Sequence, residues 1–65
     1  MNLTINGETR QTQAATVREL LSSMGIAERP VAVEVNRQIV PRRAHEQTEL
    51  HDGDVIEIVT LVGGG

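Results

Sequence analysis

The sequence predicts an α+β domain: a mixed sheet of about five strands with one main helix packed across it. Three observations carry this expectation. Apolar residues alternate with polar ones near the start, middle and end of the chain, at Met1, Leu3 and Ile5, at Val31, Val33 and Val35, and at Ile56 and Ile58;. A different stretch, Val17, Leu20, Leu21 and Met24, repeats at i, i+3, i+4 and i+7, the spacing of one helical face;. Turn-forming pairs, Asn6-Gly7 and Asp52-Gly53, separate these segments;.

The first strand is followed by Asn6-Gly7, a pair that tolerates positive φ at both centres of a type I′ hairpin turn;. Glu8 to Gln11 is expected to return antiparallel, and its lack of large apolar residues assigns it to a sheet edge;. Thr16 is placed to cap the helix, with Glu19 completing a capping box;. The helix runs from Val17 to Met24, and Gly25 and Ile26 complete a Schellman stop;. A third strand begins after Pro30 at Val31. A turn near Asn36 to Gln38 leads to a short strand, Ile39 to Val40, ended by Pro41;. Val55 to Val62 forms the last strand, with Ile56, Ile58, Thr60 and Val62 on one face and Val55, Glu57, Val59 and Leu61 on the other. Apolar residues on both faces assign it to the sheet centre. If the helix is a crossover, the first and last strands pair in parallel. The expected core is Leu3, Ile5, Val17, Leu20, Leu21, Val33, Ile56 and Ile58.

With 65 residues, the chain holds one domain spanning residues 1–65, ending in a flexible glycine tail at 63–65;. Leu, Ile and Val number 18 of those 65, above the roughly 20% below which chains stay disordered. So small a core is not expected to enclose a deep substrate cavity. The absence of Cys excludes disulfides, thiolate zinc sites and a cysteine nucleophile;. No aromatic residue offers a stacking platform, and a net charge of −3 repels phosphate, which argues against nucleic acid;. No apolar run is long enough for a membrane span, and the N-terminus lacks a secretory signal, so a soluble cytoplasmic protein is expected. The basic residues are all Arg; GC-rich codon usage explains this first. The six Arg lie within residues 1–43, whereas residues 44–65 carry five acids and no Arg, an acidic segment suited to steering toward a basic surface.

The sequence finishes Gly63-Gly64-Gly65 directly after the last strand. Such a run is either a floppy terminus or a side-chain-free thread able to pass through a narrow channel with a carboxylate at its tip. Three residues reach about 10 Å. A phosphate-binding loop is excluded, since no helix and no Lys follow. His45 and His51 lie among Glu46, Glu49, Asp52 and Asp54, in spacing that matches no standard metal loop, and read as solvated loop residues; no metal is expected;. Arg37, Arg42 and Arg43 read as a rim contact or an ordinary polar face.

Asn6-Gly7, the helix start Thr16-Val17-Arg18-Glu19-Leu20-Leu21, the segment Val-Ala-Val-Glu-Val-Asn-Arg-Gln-Ile-Val-Pro-Arg from Val31 to Arg42, Gly53-Asp54 and the terminal glycines together resemble the ubiquitin-like sulfur carriers of thiamine biosynthesis. The terminal Gly-Gly alone is shared with ubiquitin and with the small subunit of molybdopterin synthase. Two departures stand out: Arg37 follows Asn36 where many relatives carry Gly, and the core has no Phe. The resemblance implies a β-grasp (ubiquitin-like) fold and a carrier rather than an enzyme. It implies that an adenylating enzyme consumes ATP to activate the Gly65 carboxylate, that a persulfide donor supplies sulfur, and that thiazole synthase takes it from the thiocarboxylate. No cofactor is bound by the carrier itself. Gly63 and Gly64 would thread into these partners, and Val59 and Leu61 would help dock them. The absence of Lys then gains a functional reading, because an activated carboxyl meets no ε-amine on its own chain. A ubiquitin-like modifier, a carrier for a molybdopterin-type pathway and a plain interaction module are the alternatives.

Overall fold

A computed structural model describes residues 1–61; the expectations for Val62, Gly63, Gly64 and Gly65 lie outside the described residues. Five strands, β1 (Asn2–Ile5), β2 (Glu8–Gln11), β3 (Val31–Val35), β4 (Gln38–Val40) and β5 (Val55–Thr60), form one sheet in the order β2-β1-β5-β3-β4. One helix, α1 (Val17–Ser23), and a 3-10 turn, Arg42–Ala44, complete the elements. β1 and β5 pair in parallel and the other neighbours antiparallel, as a crossover through α1 requires;. β5 is the central strand and β2 an edge strand with all four residues exposed. This is the mixed five-stranded sheet expected from the periodicities, in the β-grasp arrangement that the resemblance implies.

Local chemistry sets each boundary. Asn6 and Gly7 take φ of 50° and 84°, the left-handed pair of a type I′ turn;. Thr16 Oγ1 accepts from the Glu19 N–H at 3.2 Å. The Glu19 carboxylate reaches one residue further back than a standard capping box and accepts from the Ala15 N–H at 2.8 Å;. The helix stops with the Ile26 N–H on the Leu21 carbonyl and the Gly25 N–H on the Ser22 carbonyl, with Gly25 at φ 76°. These are the two bonds of a Schellman motif, and they leave Met24 as the C-cap rather than the last helical residue;.

The eight expected core residues are all buried, and Ala14 and Leu50 join them. α1 sends Val17, Leu20 and Leu21 onto Leu3, Ile5, Val33, Ile56 and Ile58 of the sheet. The segment between Pro41 and Asp52 differs from its expected loop character. His45 is 3% exposed and is not a solvated residue. Its Nε2 lies 3.1 Å from the Val40 carbonyl, and because a carbonyl only accepts, this bond requires a proton on Nε2. The carbonyls of His45 and Thr48 accept from the Arg18 and Val17 N–H groups. They satisfy two of the donors that every helix start leaves open. Thus the segment is pulled inward to close the helix N-terminus, and Leu50 follows it into the core with its N–H on the Ala15 carbonyl. His51 stays exposed, as expected.

Candidate functional site

The candidate site is the outer face of β5 and the end of that strand. Alternation buries Ile56 and Ile58 toward the helix and turns Val55, Glu57 and Val59 outward;. Val59 is 58% and Leu61 53% exposed, so both expected docking residues are open to solvent, Val59 on the uncovered side of the sheet. Leu61 follows the strand with its N–H on the Pro30 carbonyl at 2.9 Å. Ala32 stands opposite Val59 in the neighbouring strand, and Glu34 opposite Glu57. Val55 and Ile39, the latter 77% exposed, extend the apolar character of this face. The sequence marks β5's outward valines by their alternation but gives Ile39 no face, since a strand as short as β4 has no period to read.

β5 is held from both sides. On one flank, β3 pairs with it from Val31–Thr60 to Val35–Ile56. On the other, β1 contributes only Thr4–Val55 and Ile5–Ile56 before the hairpin turns away. Two asparagine side chains, which sequence reasoning treated only as turn formers, supply further ties. Asn6 donates from Nδ2 to the Ile58 carbonyl at 3.0 Å and accepts at Oδ1 from the Ile58 N–H at 2.8 Å. Asn36 accepts from the Val55 N–H and donates to Asp54 Oδ1, both at 2.9 Å.

The three arginines do not act as one basic patch. Arg42 points its guanidinium at the Ala27 carbonyl at 3.3 Å and at the Arg29 carbonyl, fastening the loop that leads into β3. Arg37 sits in the β3–β4 turn and lines a shallow hollow of about 390 Å³ with Thr4, Gly7, Glu34, Val55 and Glu57. Arg43 is exposed on the 3-10 turn. Among the described residues no group of three or more His, Cys, Asp or Glu is placed to hold a metal ion, and no helix is long and apolar enough to cross a membrane.

The ThiS family model matches residues 3–65. The chain belongs to the ThiS family. A crystal structure of a thiamine biosynthesis protein (ThiS) from Geobacter metallireducens superposes with a TM-score of 0.82 at 39% identity, covering 100% of both chains. The sulfur carrier protein ThiS of Thermus thermophilus is 38% identical across 94% of this chain and 95% of its own. A thiazole synthase from Paramagnetospirillum magneticum is 48% identical over 66 aligned residues. That alignment takes in 100% of this chain but only 20% of the larger protein, so this ThiS-family chain spans about a fifth of that relative's length.

Proposed function

We propose that this ThiS-family chain is a sulfur carrier of thiamine biosynthesis that delivers sulfur on its terminal glycine. A carboxylate has no adequate leaving group, so its carbon resists attack by sulfur. An adenylating partner removes that obstacle: the Gly65 carboxylate attacks the α-phosphorus of ATP, pyrophosphate leaves, and an acyl-adenylate forms. The terminal sulfur of a protein persulfide displaces AMP. Thiol attack on the resulting acyl disulfide then releases the thiocarboxylate. Thiazole synthase uses this soft nucleophile to place sulfur in the thiazole ring. The chain is thus a substrate of one partner and a co-substrate of the next, not a catalyst, and ATP-dependent loading assigns it to the cytoplasm.

The observation that carries this reading is the strand that leads to the glycines. β5 is central, its inner face is locked in the core, its outer face exposes Val55 and Val59, and Leu61 is exposed directly after the strand. Apolar side chains exposed together on a sheet face suit a protein partner. The presence of a similar segment inside a thiazole synthase polypeptide supports that enzyme as one partner. Gly63 and Gly64 are assigned to threading and Gly65 to chemistry. Mass spectrometry of the chain after incubation with ATP, adenylating enzyme and persulfide donor tests the assignment. One oxygen exchanged for sulfur at Gly65 is expected; an isopeptide adduct or an unchanged terminus overturns it.

A further inference from the structure

The pairing of β5 is uneven along its length, and the sparsely paired half is the one that leads to Leu61. Backbone groups of Asp54 and Ile56 face β1, and they receive the Thr4 and Asn6 N–H groups at 3.0 and 2.9 Å. By the alternation of the strand, Ile58 and Thr60 face the same flank. The main chain of β1 never reaches them, because the type I′ turn at Asn6-Gly7 carries it away. At Ile58 the Asn6 carboxamide takes the place of the missing strand residue, offering one donor and one acceptor as a peptide group would. Among the described residues no bond on that flank lies beyond Ile58. Asn6 is therefore the last tie on one side of β5, as the bond from Leu61 to Pro30 is on the other.

We propose that Asn6 is a positioning residue for the tail: its carboxamide holds the end of β5 so that residues beyond Leu61 leave the domain from a fixed point and direction. This rests on the carrier reading. A thread entering a partner's channel loses conformational freedom on binding, and the loss grows with the number of residues that must be ordered. Pinning Ile58 keeps that number small. Losing the pin adds residues to be ordered without altering the carboxylate once seated. The two asparagines provide an internal contrast. Both occupy the first left-handed position of a hairpin turn, at φ 50° and 51°. Asn36 ties the start of β5 at Val55, whereas Asn6 ties its far half.

The test uses the full chain with its adenylating enzyme in ATP–pyrophosphate exchange, alongside amide hydrogen exchange. Asn6→Gly keeps the turn's left-handed backbone and removes only the carboxamide. The Ile58 amide is expected to exchange about 5–30-fold faster, the scale of one or two net hydrogen bonds. KM for the carrier should rise about 3–10-fold with kcat within about twofold, the signature of a cost met on binding. Asn36→Gly should loosen Val55 yet leave KM at the wild-type value. Asn6→Asp, which retains the acceptor and loses the donor, should fall between, and it decides the matter if Asn6→Gly does not fold. Equal KM increases in Asn6→Gly and Asn36→Gly, or an unchanged KM with a loosened Ile58 amide, overturns the proposal. A wild-type chain that is never adenylated overturns the carrier reading instead, and protection of the Ile58 amide then still reports whether Asn6 pins the strand.

Discussion

The two faces of β5 are built from similar side chains and meet opposite fates. Ile56 and Ile58 are 0% and 7% exposed beneath α1, while Val55 and Val59, one residue away on either side, are 47% and 58% exposed. Composition does not distinguish them; the presence of a helix on one side does. The inner face provides stability and the outer face is free to meet partners, so a substitution can be placed on either side of one strand and made to report folding or function separately. Glu57 sharpens the contrast. It stands directly opposite Glu34 on the outer face, a like-charge pair that disfavours pairing and is tolerated because the inner residues on the same strands fill the core.

Core truncation should produce the largest change in stability. Ile56→Ala and Leu20→Ala, which remove side chains 0% and 2% exposed, are each expected to cost about 2–5 kcal/mol in urea denaturation. A cost below about 1 kcal/mol at either position would break the division between the faces. Next in size is Arg37→Gly. Arg37 holds φ 71° in the second I′ turn, where a Cβ costs about 1–2 kcal/mol; Gly relieves that strain against about 0.4–1 kcal/mol of added unfolded-chain freedom, so a net gain of about 1 kcal/mol or less is expected as a rise in the denaturation midpoint.

On the outer face, Val59→Asp should change stability by less than about 0.5 kcal/mol while weakening binding to the adenylating enzyme and thiazole synthase in titration calorimetry. Unchanged affinity would remove Val59 from the docking surface. Smallest in stability and largest in activity are the tail variants. Deleting Gly65 or making Gly64→Ala should leave the melting transition nearly unmoved. The deletion withdraws the carboxylate by about 3.5 Å from the ATP phosphorus, and the added methyl must fit a narrow channel, an overpacking worth about 1–3 kcal/mol. Pyrophosphate exchange and sulfur loading should collapse in both, and full exchange by the Gly65 deletion would return the chain to a plain interaction module.

Most of the candidate site is legible before folding, because its signals are local. The outward valines follow from the period of two in Val55 to Val59, and the glycine run is plain in the sequence. The asparagine ties are not legible. Asn6 and Ile58 are 52 residues apart, and nothing near either residue announces the other. The turn near Asn36 is legible but its backbone is not, because Arg37 stands where an Asn-Gly pair would announce a I′ turn; the structure gives both residues positive φ, so the hairpin register outweighs the local preference of Arg.

The sequence by itself determined the elements whose causes lie within a few residues: the Asn6-Gly7 hairpin, the Thr16 cap, the Gly25 stop, the alternation of β3 and β5, and the polar edge strand β2. Tertiary structure alone decided what depends on distant partners. It buried His45 and Leu50, drew the residues after the 3-10 turn under the helix N-terminus so that the His45 and Thr48 carbonyls accept from Arg18 and Val17, and lent the Asn6 carboxamide to β5. The reason is physical. Propensity, capping and periodicity act through neighbours along the chain, whereas open helix donors and unpaired strand groups are satisfied by whatever the folded chain brings near.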